Sequence, residues 1–445
     1  MTSPLNFDAL KGTLERQIDQ LPDHRKPGPN TRYRIKDAAL GAFSAFYMQL
    51  PSFLSHQKHL QHAKGQNNAR TLFGVTDIPC DNQIRNLLDP FNPTYLDGVY
   101  LEVFENLNQQ GSLEPFRVLD GQLLVALDGT QYYSSTNIHC QNCLRRQSAK
   151  GPTRYSHTAI TPVIVCPGRS EVIALPPEFI MPQDGHDKQD CERVAGKRWI
   201  AKHARQIAPD GVTLLGDDLY SNQPFCESAL KHGFNLILTC KPESHPTLYE
   251  RLAFWQQTGA TQEVESRQRR RGVMNVMLYR YINDVFLRSG QDALSVNWLE
   301  IIEVHGKTGQ QLYQNSFVTT HHLDHENVAE IARAGRSRWK IENENNNVLK
   351  NKGYHLEHNF GHGKRYLSAF LLSLNLIAFL FHTVLAWCDD RYALLRKTLA
   401  RRQTFFDDIQ ALTRYMVFKS WQHMMAFMIR GLELEDEIGA TPDTS

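Results

Sequence analysis

Cysteine is scarce and scattered: eight residues in 445, without the dense, regular spacing of a secreted disulfide scaffold. The amino-terminal stretch MTSPLNFDALKG has no apolar run before a small-residue cleavage site, so no secretory signal is expected. Long apolar runs are missing too, except at residues 367–387, LSAFLLSLNLIAFLFHTVLAW. That run is long enough to cross a bilayer. However, Asn375 and His382 interrupt it and no second run accompanies it, so a buried core helix is expected. The chain also lacks an excess of one charge: its formal net charge is +2. With 22% charged and 41% hydrophobic residues it falls outside the disordered class. A cytoplasmic protein with no membrane partner is expected.

What is present is unevenly distributed. Basic residues cluster at 25–36, 145–154, 267–271 and 396–402, while the last dozen residues are acidic. Local basic patches bind phosphates even when the total is near neutral. At roughly 150 residues per domain, the length suggests two or three domains.

Residues 1–115 have a helical pattern. Ala38 to Leu50 predicts an apolar helix stopped by Pro51, and a second helix is expected over 52–63. In FGVTDIPCDNQIRNLLDP, Asp81 is expected to cap a short helix. That helix would turn Ile84, Leu87 and Leu88 inward and Asn82, Gln83 and Arg85 outward. Asn, Gln and Arg at the start of a short helix are side chains that read base edges; an ordinary capped surface helix is the alternative.

The pattern changes after Gly121. Buried strands are expected at 123–128 (LLVALD), 155–165, 171–175, 212–215 and 234–240, with helices at 188–207 and 223–232 between them. Strands interleaved with helices indicate an α/β domain. Residues 244–313 carry short alternating runs, such as VMNVMLYRY, and predict a β-rich insertion. Residues 314–390 return to the α/β pattern through a helix over 326–352, and 391–445 form a C-terminal helical region.

Two of the buried strands end in aspartates, Asp128 and Asp217, and ligands of open α/β sheets gather at the carboxyl ends of strands. Further on, RSRWKIENENNNVLKNKGYHLEHNFGHG (336–363) places Glu342 in a charged, amide-rich helix directly before the most apolar segment. Three converging carboxylates cannot all stay ionised without a cation between them. Hard divalent ions, Mg²⁺ above all with Mn²⁺ as an alternative, take such oxygen ligands, and two of them about 4 Å apart serve phosphoryl transfer. Asp218 is the alternative for the second acid and Glu344 for the third. In an α-helix Glu342 and Glu344 face about 200° apart, so only one can join the aspartates. Glu342 shares a stripe with Val328, Ile331, Arg338 and Leu349 and is expected to face the body of the domain.

The blocks LDGTQYYSS around Asp128, LLGDDLYSN around Asp217 and SRWKIENENNNVLKNK around Glu342 resemble the catalytic blocks of DDE transposases from bacterial insertion sequences. Arg338, Trp339, Ile341 and Glu342 supply the Arg-Trp-x-Ile-Glu signature, and Tyr220 stands three residues after Asp217 as the family pattern has it. The resemblance spans roughly residues 121–387, with residues 27–90 similar to the helical DNA-binding region of such elements. It implies an RNase H-like mixed sheet flanked by helices and interrupted by a β-rich insertion. It also implies Asp128, Asp217 and Glu342 as catalytic Mg²⁺ ligands, and a homodimer, nucleoid-associated, on double-stranded element ends and target DNA. The implied activity is metal-dependent DNA strand cleavage and strand transfer. An RNase H-like nuclease or resolvase and a domesticated, non-catalytic DNA-binding protein are the alternatives. In an extended form of the signature a Tyr and a Lys flank Arg338 and Glu342. Here those positions hold Gly335 and Leu349, with Lys350 adjacent, so the resemblance leaves base flipping and hairpin handling open.

Phosphate contacts are expected from Arg338, Lys350 and Lys352 around this helix and from Arg269, Arg270 and Arg271 in the insertion. Cys140 and Cys143 form a Cys-x-x-Cys, half of a structural zinc site, which His157, His186 or Cys191 would complete; reduced cysteines at a hairpin tip are the alternative. His355, His358 and His362 follow the amide-rich helix, for phosphate contact, packing or ligation.

Overall fold

The computed structural model describes residues 5–26, 28, 31–61, 63–147, 151–184, 188–270 and 272–435. The amino-terminal part is helical: α1 Phe7–Ile18, α2 Ile35–Tyr47, α3 Phe53–Leu60, α4 Ala63–Phe73, α5 Asp81–Leu88 and α6 Asp97–Gln109. In α2 every residue but Lys36 is buried, because the helix is apolar all round and protein surrounds it on all sides. It ends earlier than expected, as Gln49 turns left-handed (φ 53°) ahead of Pro51. Ser52 caps α3 as its side chain accepts from the Ser55 amide. The expected cap of α5 moves one residue back to Cys80. Asp81 is the first helical residue and pairs with Arg85 at 3.1 Å.

The α/β part begins with β1 Leu123–Ala126. There follow β2 Gly129–Ser135, β3 Leu144–Arg146, β4 Arg154–Ile160, β5 Val163–Val165, β6 Ile173–Ala174 and β7 Glu178–Ile180. Next come α7 Lys188–Ile207, β8 Val212–Gly216, α8 Gln223–Lys231 and β9 Asn235–Thr239. The run expected as one strand over 155–165 breaks at Pro162, and its two halves join different sheets. β4 pairs with β2, β3 and β7 in a small antiparallel sheet. β5 pairs antiparallel with β1 in the main sheet.

After β9 the chain forms α9 Pro246–Gln257 and the long strands β10 Gln262–Arg270, β11 Val273–Phe286, β12 Ser295–Val304 and β13 Gln311–Thr319. These four strands do not form a sheet of their own. β13 pairs with β9, so the main sheet has nine strands in the order β10-β11-β12-β13-β9-β8-β1-β5-β6. Among the described residues only β1-β8 and β8-β9 are parallel, which leaves a mixed sheet flanked by helices.

The remainder is α10 Val328–Arg336, a 3₁₀ turn Ser337–Trp339, a π-helical segment Ile341–Asn346 and α11 Asn347–Asn351. It continues with α12 Leu367–Cys388, α13 Asp390–Thr398, α14 Arg402–Tyr415 and α15 Trp421–Gly431. The single helix expected over 326–352 therefore changes pitch three times. α12 is the one described helix long and apolar enough to span a membrane, and 83% of its most apolar window is buried in the fold. It packs against α2 and α13, with Phe43 edge-on to Phe381 at 5.4 Å. Phe7 stacks on Trp421 at 4.7 Å, so the first and last helices share a core with α12.

Candidate active site

β1 and β8 are adjacent and parallel, with Ala126 opposite Leu215. Continuing that register by two residues sets Asp128 beside Asp217, both just past the carboxyl ends of fully buried strands. Neighbouring strands lie about 4.8 Å apart, so the two carboxylates share one edge of the sheet. The chain after α10 then passes over this edge. α10 packs on β9, Ser337–Trp339 touches β8 and Ile341–Asn346 touches β5, so the segment crosses the end of β1, which lies between β8 and β5. Glu342 is carried by this crossing.

The electrostatics follow from that arrangement. Burial pushes the Asp128 carboxyl up to about 7, and the neighbouring Glu192 carboxylate adds to the rise. Arg338 pulls it down, while Glu342 and Asp217 push it further up. Burial also raises Asp217, opposed by the Leu219 amide donating to its Oδ1 at 2.9 Å and by Arg338. The Arg338 guanidinium donates to Glu342 at 3.1 Å. Glu342 is not turned into the body of the domain as the α-helical stripe implied. Its side chain is 51% exposed at the rim, while Val328, Ile331 and Leu349 are buried.

The change of pitch accounts for the difference. π-Helical segments recur at functional sites because the widened turn re-aims side chains. Here it sends Asn345 and Asn346 inward, both buried. Thr161 Oγ1 donates to Asn346 Oδ1 at 3.0 Å, and Asn345 Nδ2 donates to Thr161 Oγ1 at 3.2 Å. Asn346 Nδ2 is then aimed at Asp128 Oδ2, 3.5 Å away. The amide run of this segment is thus a bracket for Asp128.

Asp218 and Glu344 have other environments. Asp218 Oδ1 accepts the Lys241 amide at 2.7 Å and its Oδ2 the Ser244 hydroxyl at 2.6 Å, which secures the loop before α9. Glu344 lines a cleft of ≈ 610 Å³ together with Arg169, Arg333, Arg336 and Lys340.

Glu192, on the first turns of α7, is a fourth acid that the sequence pattern did not reveal. It is buried, and its Oε1 accepts the Gly129 amide at 3.1 Å and the Tyr220 hydroxyl at 3.0 Å. A Cβ on Gly129 would lie 2.7 Å from the Glu192 carboxylate, so only glycine lets this acid reach the backbone beside Asp128. The available signal was the pairing of Gly129 and Tyr220 with the two aspartates, which gives no hint of a partner on α7.

The basic residues are dispersed. Arg338 is at the acids. Lys350 pairs with Glu357 at 2.9 Å and Lys352 is exposed at the end of α11. Arg85 donates to the Phe360 carbonyl at 2.9 Å, while Asn82 and Gln83 face outward. Arg269 is exposed on the edge strand β10; the Arg270 side chain and Arg271 lie outside the described residues. Cys140, Cys143 and His157 converge, and His362 joins them. His186 and the Cys191 side chain lie outside the described residues. His358 is exposed against the Phe360 ring, and His355 is left-handed at φ 51°. No protein-family model matches this chain, and no curated protein is detectably similar to it in sequence.

Proposed function

We propose that this chain is a DNA transposase of the DDE type, which binds element ends and catalyses metal-dependent strand cleavage and strand transfer. The observation that carries the reading is the placement of Asp128 and Asp217 in register at one sheet edge, with Glu342 and Arg338 brought over that edge. A central β1 flanked by antiparallel strands on one side and by two parallel, helix-connected strands on the other is compatible with the RNase H-like layout that the resemblance implies.

The donor set fits a hard divalent cation such as Mg²⁺. Its ligands are carboxylate oxygens, and Asp128 and Asp217 are both held above their ordinary range, chiefly by burial, so a cation between them would offset the cost of ionising them there. Asp128, Asp217 and Glu342 would hold the ions, which supply charge neutralisation and polarisation of the attacking and leaving oxygens. The chain's own groups supply the rest. Asn346 orients the Asp128 carboxylate, Glu192 sets its charge environment, and Arg338 stands where a phosphate oxygen would meet a guanidinium.

The cleft beside Glu344 offers a path for the phosphate backbone. Arg169, Arg333, Arg336 and Lys340 line it, and Trp339, 46% exposed with the Lys340 ammonium 5.6 Å from its ring centroid, presents an aromatic face at its rim. An indole beside cations suits the stacking and charge contacts of distorted or single-stranded DNA ends. Water is the nucleophile for cutting, and the freed 3′ hydroxyl is the nucleophile for joining at the same acids. The test supplies the purified protein with Mg²⁺, pre-cut element ends and a plasmid. Insertion that Asp128→Ala abolishes supports the reading. Cleavage without joining would favour a nuclease or resolvase, and DNA binding without either would favour a non-catalytic DNA-binding protein.

A further inference from the structure

We infer that Cys140, Cys143, His157 and His362 form a tetrahedral structural zinc site, separate from the acidic centre and independent of the transposase reading. All four side chains are buried, and their ligating atoms lie within 4.8 Å of one another. Zn–S bonds of about 2.3 Å and Zn–N bonds of about 2.0–2.1 Å fix the edges of such a tetrahedron at about 3.8 Å for S–S, about 3.6 Å for S–N and about 3.3 Å for N–N. The observed edges are 3.9 Å between the two sulfurs and 3.1 Å between the two imidazole Nε2 atoms. The sulfur–nitrogen edges are 3.6 Å from Cys140 to His157, 3.4 Å from Cys143 to His157 and 3.3 Å from Cys143 to His362. A disulfide would need the sulfurs about 2.05 Å apart, so that pairing does not explain the cluster.

Two further features point to a ligand at its centre. His362 Nδ1 lies 3.0 Å from the Gly363 carbonyl, which can only accept. The proton is therefore on Nδ1, and the Nε2 lone pair faces the two sulfurs, the tautomer that metal-binding histidines adopt. The Cys140 amide donates to Cys143 Sγ at 3.4 Å, the kind of hydrogen bond that supports a thiolate ligand. Two sulfurs and two imidazoles in tetrahedral array select zinc, and four protein ligands leave no open position for catalysis.

The fourth ligand explains what the site is for. Cys140 and Cys143 follow β2, the strand that starts directly after Asp128, whereas His362 lies in the loop between Glu342 and α12. That loop is also anchored by Asn142 Nδ2 donating to the Arg365 carbonyl at 2.8 Å, and by Asp89, whose Oδ1 accepts the amides of Lys364, Arg365 and Leu367. Zinc would staple the chain after the first acid to the chain after the third, with α5 as the outer support.

The test uses the full chain, with any affinity tag removed and thiols kept reduced. Metal analysis should find about one zinc per chain, and exchange with Co²⁺ should give the visible d–d bands and thiolate charge-transfer absorption of a tetrahedral S₂N₂ site. Cys143→Ser and His362→Ala should weaken zinc by more than about a hundredfold, since even an outer-shell partner is worth 10–100-fold. Should those variants fail to fold, His362→Cys keeps the test open: it should retain zinc and strengthen the thiolate absorption. Wild-type protein that carries no zinc and gives no tetrahedral Co²⁺ spectrum would overturn the site. Full zinc retention in a folded His362→Ala, with loss in Cys191→Ser, would overturn the fourth ligand.

Discussion

Replacing Asp128 with Asn should stabilise the metal-free protein at alkaline pH. A carboxyl carried from 3.8 to about 7 has its ionised form disfavoured in the fold by about 4 kcal/mol, at 1.36 kcal/mol per pKa unit. That figure is a ceiling, because the side chain is half-buried and water relaxes around the charge, so about 1–3 kcal/mol should be measurable. The sign follows from proton linkage. A raised acid binds its proton more tightly when folded, so its cost is absent below the unfolded value of 3.8, grows between about 4 and 7, and is fully present above 7. Asn has nearly the shape of Asp and never ionises. Denaturant melts of the chelated protein should therefore show Asp128→Asn above wild type by about 1–3 kcal/mol at pH 9 and level with it at pH 4. Added Mg²⁺ should reverse the order. At a thousand times its dissociation constant it gives wild type about 4.1 kcal/mol, more than the gap, and it should give the variant little. A variant less stable than wild type at pH 9 in chelator would refute the reasoning, since it would mean that the carboxylate is net stabilised by its surroundings.

Glu192→Gln removes the like charge that raises Asp128 most and should move the acid limb of the pH–rate profile for Mg²⁺-dependent cleavage downward; an unmoved limb would exclude electrostatic coupling between the two. Asp217→Asn and Asp218→Asn should separate cleanly. The first should lose Mg²⁺-induced stabilisation in thermal melts. The second should keep it but lose about 1–3 kcal/mol of stability, as an NH₂ donor replaces one of the two oxygens that accept from the Lys241 amide and the Ser244 hydroxyl. Gly335→Tyr, which would restore the extended signature, should destabilise by about 1–3 kcal/mol or more by denaturant melt, because even a Cβ there lies 2.9 Å from Ile237 and 3.0 Å from the Phe317 ring.

The elements that the sequence announced are those whose burial leaves a one-dimensional pattern. α7 was expected over 188–207 and runs Lys188–Ile207. β1 and β8 were visible as short apolar runs ending in acids. α9 was hidden because it buries only Leu248 and Leu252, too few positions to write a helical period. Alternation revealed the strands of residues 262–319 but not their partner. That β13 pairs with β9 is a contact between segments far apart in the chain, and nothing local encodes it. The partnership of His362 escaped for the same reason: the histidine run 355–362 was a candidate for ligation, but His362 meets Cys143 through the fold, 219 residues away.

The departures in the third block have a mechanical origin. An α-helix through Glu342 would have set the acid on the stripe of Val328, Ile331 and Leu349, all of them buried. Instead α10 lies so close to the sheet that Gly335 touches Ile237 and Phe317, and the chain then widens into a π turn. Close approach lets the segment cross directly over β8 and β1. The wider turn lifts Glu342 to the rim beside Arg338 and drives Asn345 and Asn346 down onto Thr161 and Asp128. The amide-rich composition follows from this. Side chains aimed at a buried carboxylate at a strand end must donate hydrogen bonds without adding negative charge, which an amide does and a second acid does not. By that logic Asn346→Asp would place another carboxylate against Asp128 and force one of the two to hold a proton at neutral pH, whereas Asn343→Asp, on the exposed face, would leave the site's charge balance nearly untouched.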